Sequence, residues 1–152
     1  MPKASVKRLI ECEKDDLIKL VLDIEKYPEF VPFCFDAKVY EEKNQGDLIK
    51  IIADLTIGKG PFKDTYKSDV VLDKRKDTIF VKNIEGPLNH LSNNWTFTDK
   101  QNGITEIAFD IDFEIKNKFL NSLMVVSFQF GLEKIADAFQ KRAEELFGSS
   151  KN

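Results

Sequence analysis

The chain has 152 residues, 42% of them hydrophobic and 32% charged, a size and balance that fit one soluble domain with its own core. Its 23 basic and 26 acidic residues leave a formal net charge of −3 and no basic stripe, which argues against nucleic-acid binding by bulk charge and against DNA as a partner. Two cysteines and one histidine are too few for a Cys/His zinc site, and no apolar run approaches the ~20 residues of a transmembrane helix.

Ala4 to Glu11 alternates as a first strand, and its lack of a long apolar stretch separates it from a targeting peptide. Asp15 and Asp16 then open a helix whose apolar face is Leu17, Leu20, Val21 and Ile24, and which Tyr27-Pro28 is expected to end. The stretch Tyr27-Pro28-Glu29-Phe30-Val31-Pro32-Phe33-Cys34 follows as a corner stiffened by two prolines and crowded with aromatics. Such a corner docks either on the domain's own core or on an apolar ligand.

From Phe35 the period becomes two. Ala37 and Val39 lead a strand to a turn at Lys43–Gly46. Ile49, Ile51, Ala53, Leu55 and Ile57 alternate with polar residues up to a turn at Gly58–Pro61, and Phe62, Asp64, Tyr66, Ser68, Val70 and Leu72 share a face of the next strand. A polar turn at Lys74–Asp77 leads to a strand over Thr78–Ile84, broken by Gly86-Pro87. Ser92–Thr98 carries Trp95 and Phe97 on one face. Asn102-Gly103 marks a hairpin, after which Ile107, Phe109, Ile111, Phe113 and Ile115 alternate with Ala108, Asp110, Asp112 and Glu114.

The last element is a helix from about Lys118 to Phe147, with Met124, Phe128, Leu132, Ile135, Phe139, Ala143 and Leu146 on one face. Residues 149–152 are expected to fray, leaving a single domain over 1–148. Successive hairpins make an antiparallel sheet, and only the final helix is large enough to cover its apolar face. The gap between two such layers is a natural small-molecule site.

No catalytic set stands out. His90 is expected in the loop after Gly86-Pro87, Cys34 reads as a small buried hydrophobe beside Phe33 and Phe35, and Asp110 and Asp112 lie on the polar phase of their strand. Gly58 and Gly60 lack the residues of a phosphate loop. The aromatic set carries more weight. Thirteen phenylalanines stand against three tyrosines and one tryptophan. Trp95 and Phe97, Phe109 and Phe113, and Met124, Phe128 and Phe139 fall on three faces that would meet. They fill a core or line a partly open apolar cavity.

The proline corner resembles the motif that opens the coenzyme Q-binding START-domain family, also known for polyketide cyclase and lipid transport. Asp23-Ile24-Glu25-Lys26 before the corner, Gly58–Val70 with Tyr66 and Ser68, Gly86-Pro87-Leu88 followed by Asn93-Asn94-Trp95-Thr96-Phe97, and the ending Phe139, Arg142, Ala143, Leu146, Phe147 are similar to family stretches. Leu88 stands where the family usually has phenylalanine, and Phe147 replaces a tyrosine.

The resemblance implies an α+β helix-grip fold, a seven-stranded antiparallel sheet wrapped around a long C-terminal helix. It implies an isoprenoid quinone, ubiquinone or a precursor, as ligand, with no cofactor required. On that reading Phe30, Phe33 and Leu88 close one end of the cavity, and Tyr66, Trp95, Phe97, Phe109, Phe113, Met124 and Phe128 line it. The leading expectation is a non-enzymatic lipid-binding or chaperone protein that supports ubiquinone biosynthesis and respiration. It would sit in the bacterial cytoplasm or at the periphery of the inner membrane. The family also contains ribosome association toxins, so a second expectation is a toxin that binds the large ribosomal subunit and blocks subunit association. It would use a local patch at Lys3, Lys7 and Arg8 or at Lys74, Arg75 and Lys76. A third is a polyketide cyclase or aromatase, which needs an acid or base in the cavity, with Tyr66, Asp64 and His90 the candidates.

Overall fold

In the computed structural model, which describes residues 3–59, 62–86 and 88–147, the period-two pattern starts at once. Ala4, Val6 and Ile10 of β1 (Lys3–Glu11) are buried, and Lys3, Ser5 and Lys7 are exposed. The helix α1 (Lys14–Leu22) buries Leu17, Ile18, Leu20 and Val21. It ends before the expected Tyr27-Pro28. Asp23 leaves helical geometry at φ −82°, ψ 68°, and its N–H closes the last turn on the Lys19 and Leu20 carbonyls.

Pro28 therefore does not terminate α1. It lies inside a separate 3-10 helix, Ile24–Glu29, where a short turn tolerates its missing N–H. The Tyr27 carbonyl accepts from Phe30 N at 3.1 Å and Val31 N at 2.8 Å, and the Tyr27 hydroxyl donates back to the Val21 carbonyl. Phe33 closes the corner at φ 70°, a left-handed conformation that is strained for a bulky side chain. Two contacts hold it there. Its carbonyl accepts from Gly58 N at 3.0 Å, and its ring lies 3.8 Å from where a Cβ on Gly131 would sit.

The remaining strands are β2 (Cys34–Gln45), β3 (Leu48–Lys59), β4 (Phe62–Asp73), β5 (Thr78–Glu85), β6 (Leu88–Asp99) and β7 (Ile104–Ile115). All pairings are antiparallel, in the order β1-β7-β6-β5-β4-β3-β2. The strands run further than their alternation suggests. β2 continues through Gln45 to a turn at Gly46, and β3 continues through Lys59; Gly60 and Pro61 lie outside the described residues. β6 starts at Leu88, so His90 is a strand residue paired with Glu114 and not a loop histidine; Pro87 lies outside the described residues. β2 bulges at Cys34/Asp36 and at Val39/Glu41, and at the second bulge the Glu25 carboxylate takes the Val39 N–H at 2.9 Å.

The long helix α2 (Lys118–Phe147) lies against β1, β7 and α1. Its buried stripe is Leu132, Ala136, Phe139 and Ala143. Leu146, expected on that stripe, is 54% exposed, because the helix has run past the layer it covers. The tail 149–152 lies outside the described residues. The architecture is the α+β helix grip: one seven-stranded antiparallel sheet closed by a C-terminal helix.

Gly86 fixes the β5–β6 turn. It sits at φ 135°, and a Cβ there would meet Tyr66 Cβ at 2.8 Å and Tyr66 Cα at 2.9 Å. Gly86→Ala must move β4 backbone and adopt a disfavoured φ. Urea denaturation is expected to report a loss of at least about 1–3 kcal/mol, and a change within error would show that the approach is not tight.

Candidate ligand-binding site

The inner face of the sheet is built by register. Trp95 of β6 faces Phe109 of β7, Phe97 faces Ile107, and Leu91 faces Phe113. The rings then sort into two groups along α2. The first surrounds Phe139, which Tyr27, Phe30 and Trp95 meet edge-on at 5.4, 5.1 and 5.1 Å. Trp95 also lies against Phe109 at 4.2 Å and parallel to Phe97 at 6.2 Å. Trp95, Phe97 and Phe109 are all buried, so this end is closed packing.

The second group lies towards the first half of α2. Leu88, Leu91 and Phe113 form a buried cluster, and Tyr66, Val81, Ile111, Ile115 and Phe128 pack on it partly buried. Phe113 and Phe128 are 4.4 Å apart at a tilt of 54°. Val81, Ile111 and Phe128 also touch the main core and so bridge the two groups.

The ten residues expected to line the cavity are thus distributed. Phe30 and Trp95 meet Phe139, and Phe97 and Phe109 pack on Trp95. Tyr66, Leu88, Phe113 and Phe128 gather in the second group. Phe33 stands between corner and helix at Gly131, and the Met124 side chain lies outside the described residues. Sequence reasoning missed Leu91, Val81, Ile111 and Ile115. Stepping back by twos from Trp95 reaches Leu91, but the polar Asn93 between them breaks the apolar signal.

Polar groups on this face are mostly paired internally. Ser68 donates to the Ala53 carbonyl at 3.2 Å and Thr105 to the Cys12 carbonyl at 2.7 Å. Asn93 accepts from Trp95 Nε1 at 3.0 Å and donates to the Asp110 carbonyl at 2.9 Å. Asn83 accepts from Leu91 N at 2.9 Å and donates to the Leu88 carbonyl at 3.2 Å, which pins the irregular start of β6. Burial pushes the phenols of Tyr27 and Tyr66 far above their ordinary range. Burial also pushes the thiols of Cys12 and Cys34 up to about 11, with a backbone hydrogen bond at Asp36 opposing the rise at Cys34.

The other titratable candidates lie elsewhere. His90 alternates with buried Leu91 and so lies on the outer face, with Nε2 3.6 Å from Asp112 Oδ2; Lys3 Nζ is 3.9 Å from the same oxygen. Asp112 is therefore paired with Lys3 beside His90 and not merely solvated, while Asp110 is exposed. Asp64 is exposed near the start of β4, its carboxylate accepting from Thr65 N. Among the described residues no group of His, Cys, Asp and Glu could hold a metal ion. The arrangement suits an apolar ligand held by rings and aliphatic chains.

A sheet gripping a helix across an aromatic interlayer defines a START-like protein. The chain belongs to the polyketide cyclase / dehydrase and lipid transport family, whose model matches residues 10–140. It is similar to ribosome association toxin RatA of Rickettsia prowazekii, with 31% identity over 91% of this chain and 94% of that protein. It is also similar to the mitochondrial coenzyme Q-binding protein COQ10 of Dictyostelium discoideum, with 32% identity over 90% of this chain and 66% of that protein. A START superfamily protein from Mycobacterium smegmatis superimposes with a TM-score of 0.78 at 18% identity, over 95% of this chain and 98% of that one.

Phe30 also lies under the Arg142 guanidinium at 5.0 Å, and Arg142 bonds Glu29 at 2.7 Å, holding that carboxyl below its usual range. Phe30→Ala should therefore lower stability by about 2–3 kcal/mol in urea denaturation, as expected of a ring packed on the core; a loss below ~0.5 kcal/mol would make the corner a free flap. The thiols give a second check. A raised pKa leaves each thiol protonated until the pH nears its folded value of about 11. Iodoacetamide at about pH 8 should thus leave both cysteines of the native protein unmodified and label both in urea. Rapid labelling of native Cys34 would contradict its burial.

Proposed function

We propose that this protein is a non-enzymatic lipid-binding protein that holds an isoprenoid quinone or a quinone precursor between sheet and helix, in support of ubiquinone biosynthesis and respiration. The observation that carries the reading is the second aromatic group, where Phe113, Phe128, Leu88 and Tyr66 meet with apolar neighbours. A flat ring suits the tilted Phe113–Phe128 pair, and an isoprenoid tail suits the aliphatic walls. Family membership and the likeness to a protein named for coenzyme Q binding support it. The cyclase reading is weaker: His90 lies on the outer face and Asp64 is exposed, leaving Tyr66 alone of its candidates inside.

A bilayer would be the source of such a ligand. Phe119 and Phe130 are 68% and 66% exposed and lie three turns apart on one side of α2. Residues 115–132 contain Lys116 and Lys118 and no carboxylate, which suits an anionic surface. No helix of the described residues is long and apolar enough to cross a membrane, so this contact would be peripheral.

A second reading, a toxin acting on the large ribosomal subunit, is favoured by the near full-length likeness to RatA. Its basic patch is partly neutralised, since Arg8 pairs with Asp137 at 2.9 Å and Lys3 lies beside Asp112. One purification separates the two. Mass spectrometry of an organic extract of the purified protein is expected to find an isoprenoid quinone or precursor in stoichiometric amount, and ribosome profiles on overexpression to stay unchanged. A lipid-free protein that depletes joined ribosomes would reverse the choice.

A further inference from the structure

We propose that His90 and Asp112 form a proton-operated clasp on the outer face of the sheet, in which the imidazolium closes on the carboxylate and fixes the start of β6 against β7. The clasp goes beyond the lipid-binding reading and does not rest on it.

Buried polar atoms are nearly always paired, and each exception calls for a reason. His90 Nε2 and Asp112 Oδ1 are two such exceptions. Both are shielded from solvent, and neither has a hydrogen-bond partner among the described residues. They belong to side chains that meet. Nε2 stands 3.6 Å from the other carboxylate oxygen, Oδ2, which is too far for a hydrogen bond. Closure by less than about 1 Å would reach the range of a charge-assisted bond. A neutral imidazole has one donor nitrogen and one acceptor nitrogen. Protonation makes both donors and adds a positive charge. Nε2 then donates whichever tautomer the neutral ring held, and a turn of the carboxylate brings Oδ1 to it.

Register places the pair. His90 lies opposite Glu114, and Asp112 lies opposite Ser92 and Lys3, so His90 and Asp112 are diagonal neighbours on one face. β6 shifts register between Leu88 and His90, so a tie to β7 acts where the strand is least regular. The charged groups around the imidazole are Asp110, Asp112 and Glu114 on β7, Lys3 on β1 at 3.9 Å from Asp112 Oδ2, and Lys82 on β5, opposite Ser92. Glu85, at the end of β5, is paired with Lys67 at 3.6 Å. Three carboxylates against two ammonium groups favour the imidazolium in the folded chain. A proton held more tightly by the folded than by the unfolded chain adds stability as pH falls through the histidine range, and the gain is lost as pH rises.

The test is a double-mutant cycle on the full chain, read by urea unfolding of the wild type, His90→Gln, Asp112→Asn and the double variant. It is run at about pH 5.5 and about pH 8, either side of the histidine range. Titrations elsewhere cancel in the cycle. Coupling between the two positions is expected to raise the folding equilibrium constant roughly two- to fivefold at the lower pH, the scale of a partly exposed ion pair, and to vanish at the higher. Equal coupling at both pH values, or none at the lower, would overturn the clasp. A cycle with Glu114→Gln in place of Asp112→Asn should show the smaller coupling, and the reverse order would overturn the choice of partner. His90 is the only histidine in the chain, so its ring protons can be titrated by NMR. The midpoint should move to lower pH in Asp112→Asn, and an unmoved midpoint would also overturn the clasp.

Discussion

Tyr27, Phe30 and Trp95 converge on the ring of Phe139, each at close to a right angle and within 5.4 Å. These contacts join four parts of the molecule: the 3-10 helix, the corner after it, the centre of the sheet and the second half of α2. A twisted sheet with one apolar face needs cover, and α2 supplies it only if its axis is fixed against the strands. Phe139, buried at 2% exposure, supplies that fixed point. Packing is dense around it, and the second group of rings, where Phe128 meets Phe113 beside Leu88, lies further along the helix.

That division gives the proline corner its meaning. Phe30 belongs to the closed end and Phe33 faces the helix at Gly131, so the corner spans the boundary between the two. The left-handed Phe33 is the strained point of this span, held by a backbone bond to Gly58 and by contact with α2. The β5–β6 turn makes the matching approach from the other side, with Gly86 against Tyr66. Two tight backbone contacts thus frame the second aromatic group.

Much of the fold was legible because alternation and helical spacing are strong local signals. β7 and the bounds of α2 could be read directly from Ile107 to Ile115 and from Lys118 to Phe147. Legibility failed where tertiary contacts overrode local preference. Pro28 looked like a helix stop, yet Asp23 had already ended α1, and the proline was absorbed into a 3-10 turn packed on Phe139. His90 looked like a loop residue after Gly86-Pro87. Asn83 instead bonds Leu88 and Leu91 and extends β6 back to the turn, which carries His90 to the outer face beside Asp112. The aromatic residues of the candidate site could be named from their strand faces. Their separation into a packed end and a second group could not, since periodicity gives the face of a side chain and not its distance along the helix axis.

By itself, the sequence determined the element order, the apolar face of each strand, the single helix able to cover that face and the family to which the chain belongs. All of these follow from local periodicity or from motifs short enough to read along the chain. Tertiary structure decided which rings pack around Phe139, where the corner docks, and that His90 lies outside. Those outcomes depend on register, bulges and close backbone approaches between residues far apart in sequence, and no local pattern encodes such distances.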